Sequence, residues 1–134
     1  MIRMRVYITS RFKGSAENKK EIEELCAAVR SADMEDFHFI RDVEKYQPNF
    51  FSTQQEVWVA AKNSLKECDA LLVDVTDDPS GGRVVEVGMA FALNLPIFVV
   101  AKKGTLYKDF YNGVAARIFE YEDIGDISSW LRDF

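Results

Sequence analysis

The chain has 134 residues, 48% hydrophobic and 29% charged, with a net charge of -5. That balance suits one soluble globular domain over residues 1–134 and excludes a disordered or fibrous chain. The acidic excess disfavours a surface that grips a nucleic-acid polymer, although a local nest of N–H groups with one or two cations can still hold a small anion.

The opening stretch MIRMRVYITS is interrupted by Arg3 and Arg5 and lacks a signal-peptide cleavage pattern, so it reads as a strand. Nothing approaches the ~18 uninterrupted apolar residues of a transmembrane helix, and no membrane partner is expected. Arg5–Thr9 is β-branched and alternating enough to predict the first strand. SRFKGS then turns into AENKKEIEELCAAVRSA, where Ile22, Leu25, Cys26 and Val29 recur at helical spacing. FHFI is read as a short second strand. RDVEKYQPNFFS has no simple period and contains Pro48, which argues for a long loop.

A second helix is expected from near Thr53 through VWVAAKNSLKEC, opened by a capping box of Thr53 and Glu56 and ended at Asp69. ALLVDV has the continuous apolar character of an internal parallel strand. TDDPSGG leads into a helical RVVEVGMAFAL, and PIFVV supplies another buried strand. LYKDFYNGVAARIFEYE reads as a short helix and a strand near Arg117–Tyr121, before a final helix from about Ile124. Cys26 and Cys68 fall in helical segments without metal or redox spacing, which predicts buried free thiols in a reducing, cytoplasmic setting.

Alternating strands and helices predict an α/β fold: a three-layer, doubly wound parallel sheet, flavodoxin-like, in the order 2-1-3-4-5. Ligands of such sheets collect at the carboxyl ends of the strands, where YITSRFKGS and VDVTDDPSGGRVVE emerge. Glu86 stands out there, a carboxylate at the head of an apolar run. It either caps or solvates the first turn of its helix or performs chemistry. Gly88 is expected to admit the close approach of a neighbouring strand, a helix or a substrate, Ala90 to pack closely, and Met89, Phe91 and Leu93 to serve the core or an interface. His38 has no metal-ligand pattern around it and is expected to be structural or surface-exposed. No metal site and no cofactor are expected. The first loop lacks the Ser/Thr-Gly richness of a flavin-phosphate loop, and the first strand is not followed by the acidic pair of a phosphorelay receiver.

With VYITSRFKG, CDALLVDVT and PSGGRVVEVGMAFALNLPI in view, the chain resembles the nucleoside 2-deoxyribosyltransferase superfamily, including its 2'-deoxynucleoside 5'-phosphate N-hydrolase branch. The resemblance runs to about residue 101. It implies a single domain of that type acting on the N-glycosidic bond of a deoxynucleoside or its 5'-monophosphate, with Glu86 as the sugar-directed nucleophile and Tyr7 orienting it. A carboxylate can stabilise or capture C1' as the glycosidic bond breaks; water then releases it in a hydrolase and a second base in a transferase.

The resemblance also places Lys13 and Ser80 at phosphate-binding positions. Ser10 lies in the same first loop, and the N–H groups of Gly81 and Gly82 are expected to meet the anion at the helix start. It implies a homodimer or higher homo-oligomer, with Asn112 a candidate polar residue at a subunit interface; Tyr111 and Phe110 are read as core or pocket residues. One position departs from the pattern. Ala61 stands where the family commonly carries an aspartate, eight residues before Asp69. That substitution keeps a non-catalytic nucleotide-binding or sensing protein in view as the alternative.

Overall fold

In the computed structural model, residues 3–12, 18–77 and 81–133 are described. Strand β1 (Arg5–Thr9) leads to helix α1 (Lys19–Ser31), β2 (Glu35–His38) and the single turn α2 (Phe39–Asp42). Then follow α3 (Gln54–Lys66), β3 (Ala70–Asp74), α4 (Gly81–Ala92) and β4 (Ile97–Lys102). The chain closes with α5 (Phe110–Val114), β5 (Arg117–Tyr121) and α6 (Asp126–Arg132). The five strands form one parallel sheet in the order β2-β1-β3-β4-β5, the arrangement expected from the alternation of elements.

Period-two alternation along the strands builds two cores. Val6, Ile8, Ala70, Leu72, Phe98 and Val100 face α1 and α6, meeting Ile22, Leu25, Val29, Ile127 and Leu131. Tyr7, Leu71, Val73, Ile97, Val99 and Ala101 face the other layer, packing with Ala61 and Leu65 of α3 and Val87 and Ala90 of α4. Each fully buried Leu or Ile contributes roughly 1.5–3 kcal/mol through lost water contact. Cys26 and Cys68 are buried free thiols, as expected.

Three local expectations shift. The second strand ends at His38, and Phe39 and Ile40 belong to a helical turn. The cause is Asp42, whose carboxylate accepts the His38 backbone N–H at 3.0 Å while Arg41 ties Asp42 to Asp36. Thr53 does cap α3, accepting the Glu56 N–H at 3.2 Å, but the Glu56 side chain accepts from the Thr53 hydroxyl at 3.0 Å. The final helix begins at Asp126, and the Asp126 carboxylate accepts the N–H of Asp123 at 3.1 Å. Among the described residues no helix is long and apolar enough to cross a membrane.

Candidate active site

Helix α4 explains the position of Glu86. Its buried residues are Arg83, Glu86, Val87 and Ala90, a stripe at spacings of three, four and seven that faces the sheet. Glu86 is thus placed inward by helical period, 8% exposed, among side chains that are otherwise largely apolar. It neither caps the helix nor points to solvent.

On the facing strand, Tyr7 and Thr9 lie two residues apart and project to the same side. The Tyr7 hydroxyl donates to Glu86 Oε2, and the Thr9 hydroxyl donates to Oε1 at 2.6 Å. Both carboxylate oxygens are therefore held from β1. Burial raises the Glu86 pKa to about 7, against the lowering effect of these two hydrogen bonds and of the Arg83 charge; Glu44 adds a further upward push. The same burial, with the Glu86 charge beside it, drives the Tyr7 phenol well above its ordinary range and keeps it a donor.

Glu86 sits in the wall of a cavity of about 230 Å³ at the carboxyl ends of β1 and β2. Thr9, Ser10, Phe12, His38, Phe39, Glu44, Val57, Trp58, Gly82 and Arg83 share that wall. Aromatic surface from Phe39 and Trp58 thus adjoins a buried carboxylate. A second cavity of about 310 Å³ opens across Ser10 and Arg83, lined by Asp74, Thr76, Lys102 and Tyr121, without Glu86. Arg83 stands at the partition, donating to the backbone carbonyls of Asp74 at 2.6 Å and Thr76 at 3.1 Å.

The expected site residues divide. Ser10, Gly82 and Glu86 line the cavity, and Tyr7, fully buried behind its wall, joins them through its hydrogen bond to Glu86. Gly81 is exposed and outside its wall, and Asn112 is exposed, its amide donating to Asp109 Oδ1 at 2.9 Å. Lys13 and Ser80 lie outside the described residues. Gly88 corrects the expectation of a close strand or helix: a Cβ there would meet nothing within 4 Å, so no described neighbour in the chain needs its missing side chain. Ala90 is fully buried as anticipated, whereas Phe91 is 56% exposed. Ala61 is fully buried in the core that holds Tyr7 and does not line the cavity. Among the described residues no group of three His, Cys, Asp or Glu side chains is placed to hold a metal ion.

His38, Thr9 and Glu44 were missed as site residues. His38 is 1% exposed, its Nε2 lies 3.0 Å from Ser10 Oγ, and burial lowers its pKa to about 3, so the ring is neutral. Its Nδ1 has no hydrogen-bond partner among the described residues. Thr9 carried a signal in the sequence, the same strand face as Tyr7. Glu44 sits in an aperiodic stretch and carried none.

The nucleoside 2-deoxyribosyltransferase family model matches residues 6–124, from β1 to just short of α6. The chain belongs to this family. Solved structures share its fold. A 2-deoxyribosyltransferase from Bacillus psychrosaccharolyticus is 19% identical with a TM-score of 0.73, each chain covered to 95%. The CMP N-glycosidase BcmB of Clostridium botulinum is 19% identical at a TM-score of 0.70, covering 97% of this chain and 99% of its own. A conserved protein from Enterococcus faecalis V583 reaches a TM-score of 0.78 at 10% identity, covering 98% of this chain and 99% of its own. No curated protein matches the chain in sequence. Family membership supports transfer or cleavage at the N-glycosidic bond of nucleosides as the chemistry of this fold.

Proposed function

We propose that the chain, acting as one cytoplasmic domain, cleaves or transfers the N-glycosidic bond of a deoxynucleoside or its 5'-monophosphate, with Glu86 as the nucleophile. The observation that carries this reading is the Glu86 carboxylate, buried in the cavity wall with one hydroxyl donor on each oxygen. With its pKa near 7, much of the population is ionised at neutral pH and ready to meet positive charge at C1'. Tyr7 and Thr9 fix the direction of its lone pairs, so attack requires little reorganisation. Phe39 and Trp58 supply an apolar face for a planar base.

The phosphate role of Lys13 and Ser80 belongs to the same proposal. In sequence Lys13 follows Phe12, and Ser80 precedes Gly81 and Gly82; Phe12 and Gly82 both line the cavity. Asn112 is kept as the interface candidate. Self-association is supported by α4, which is apolar on its outer face too: Val84, Val85 and Phe91 are exposed at 38%, 42% and 56%. A helix hydrophobic on both faces is suited to a covered position, and a second copy of the chain is its proposed cover.

The test is product identification. The protein is incubated with the four 2'-deoxynucleosides and their 5'-monophosphates, with and without a free acceptor base. Released base identifies hydrolysis and exchanged base identifies transfer. Saturable binding without either product contradicts the proposal and supports the sensing alternative, which the buried, apolar Ala61 favours.

A further inference from the structure

We propose that Glu44, which shares the cavity with Glu86, is the proton donor to the departing nucleobase. This rests on the reading of Glu86 as nucleophile. The chemistry poses the need: a nucleobase leaves poorly as an anion, and a positioned acid lowers that barrier. Ala61 has no proton to give. Tyr7 has its hydroxyl committed to Glu86. Among the described residues, Glu44 is the one acidic side chain besides Glu86 in the cavity wall.

Its placement is fixed by the turn that carries it. The Glu44 N–H donates to the Phe39 carbonyl at 3.1 Å, and the Glu44 carbonyl accepts from the Gln47 N–H at 2.9 Å. Lys45 and Tyr46 follow with φ of 53° and 60°, left-handed conformations that non-glycine residues hold only when their surroundings impose them. Tyr46 supplies that constraint, donating its hydroxyl to Glu23 on α1 and setting its ring at a tilt against Phe12, with centroids 6.0 Å apart. A carboxyl is thereby presented to the cavity on a tied-down turn.

The two carboxyl groups are close enough to act on one another, since the Glu44 charge reaches both Glu86 and the Tyr7 hydroxyl. Burial pushes both upward, and they differ in their partners: Glu86 receives two hydroxyl hydrogen bonds that favour its anion, while on Glu44 burial acts alone. Glycosidic cleavage uses such a pair, one carboxylate meeting C1' while the other carries the proton for the leaving group.

In the first step a Glu86 oxygen bonds to C1', the C1'–N bond breaks, and its electron pair stays with the base, which takes the Glu44 proton. In the second step water attacks C1' and yields a proton to the Glu44 carboxylate, while the C1'–O pair returns to Glu86. An incoming base N–H replaces the water in transfer.

The test compares wild type, Glu44→Gln and Glu86→Gln on a 2'-deoxynucleoside and on 4-nitrophenyl 2-deoxyriboside, whose nitrophenolate leaves without a proton. The readout is each variant's ratio of turnover on the two substrates, which is independent of the fraction of protein folded. Glu44→Gln is expected to lower that ratio by about 10²–10⁴-fold; an unchanged ratio overturns the role of Glu44 and leaves Glu86 standing. Glu86→Gln is expected to lose both reactions. Full turnover by Glu86→Gln, or no cleavage of either substrate by wild type, overturns the nucleophile reading and the Glu44 role with it.

Discussion

Tyr7 and Glu86 are 79 residues apart in the chain and meet in a buried hydrogen bond, the phenol donating to the carboxylate. The contact joins β1 to α4 across the layer boundary, and Thr9 repeats it on the other oxygen at 2.6 Å. One acid and two hydroxyls thereby register the strand against the helix.

Removing either hydroxyl is expected to raise the Glu86 pKa, because both hydrogen bonds favour the anion. A hydrogen bond to a charged group is worth about 1.5–3 kcal/mol, or roughly one to two pKa units. Tyr7→Phe and Thr9→Val should each move the rising limb of the pH–rate profile upward from about 7 by about one unit. Rate profiles between pH 5 and 9 check this. A limb that stays in place shows that Glu86 is not the group titrating.

The same carboxylate destabilises the fold. Its folded pKa, about 7, lies above its ordinary 4.5, so the folded state holds more proton than the unfolded state between those values. Stability is therefore greatest below the lower value and falls as pH rises through the upper one. The loss is on the order of 3 kcal/mol. Glu86→Gln removes it and should melt several degrees above wild type at pH 8, with the gap closing near pH 5. Melting curves at the two pH values measure the difference.

Lys13→Ala and Ser80→Ala are expected to weaken binding of a deoxynucleoside 5'-monophosphate by about tenfold or more each, while changing binding of the unphosphorylated nucleoside by less than about twofold. Calorimetric titration with both ligands distinguishes this from general damage, which would weaken the two alike.

Val85→Lys and Phe91→Lys place charge on the outer stripe of α4, where both native side chains are more than 40% exposed. Light scattering across a concentration series should show an assembly for wild type and monomer for the variants. An unchanged assembly would put the interface elsewhere.

The sheet was largely legible because its information is local and periodic. ALLVDV and PIFVV are uninterrupted apolar runs, and α1 carries one stripe, so both layers follow from period two and period three to four. Turn residues decided what remained. Asp42 draws FHFI out of the strand and into a helical turn by capping His38, a competition that hydrophobic pattern does not show. At the site, Glu86 was legible as a charge in an apolar run, and Thr9 could have been found from its shared face with Tyr7. Glu44 and His38 were not, since each reaches the cavity through a fold of the chain around α2. Gly88 misled in the opposite direction: a glycine in a helix suggests a close neighbour, and within the chain its surroundings are open.

The most direct measurement is turnover by Glu86→Gln on a substrate that wild type demonstrably cleaves, with binding and melting recorded on the same preparation. Glutamine keeps the side chain's size and loses its charge and nucleophilicity. Turnover is predicted to fall on the order of 10³-fold or more, with substrate still bound and the domain folded. Near-normal turnover in a folded Glu86→Gln protein would contradict the mechanism, whatever else the cavity binds.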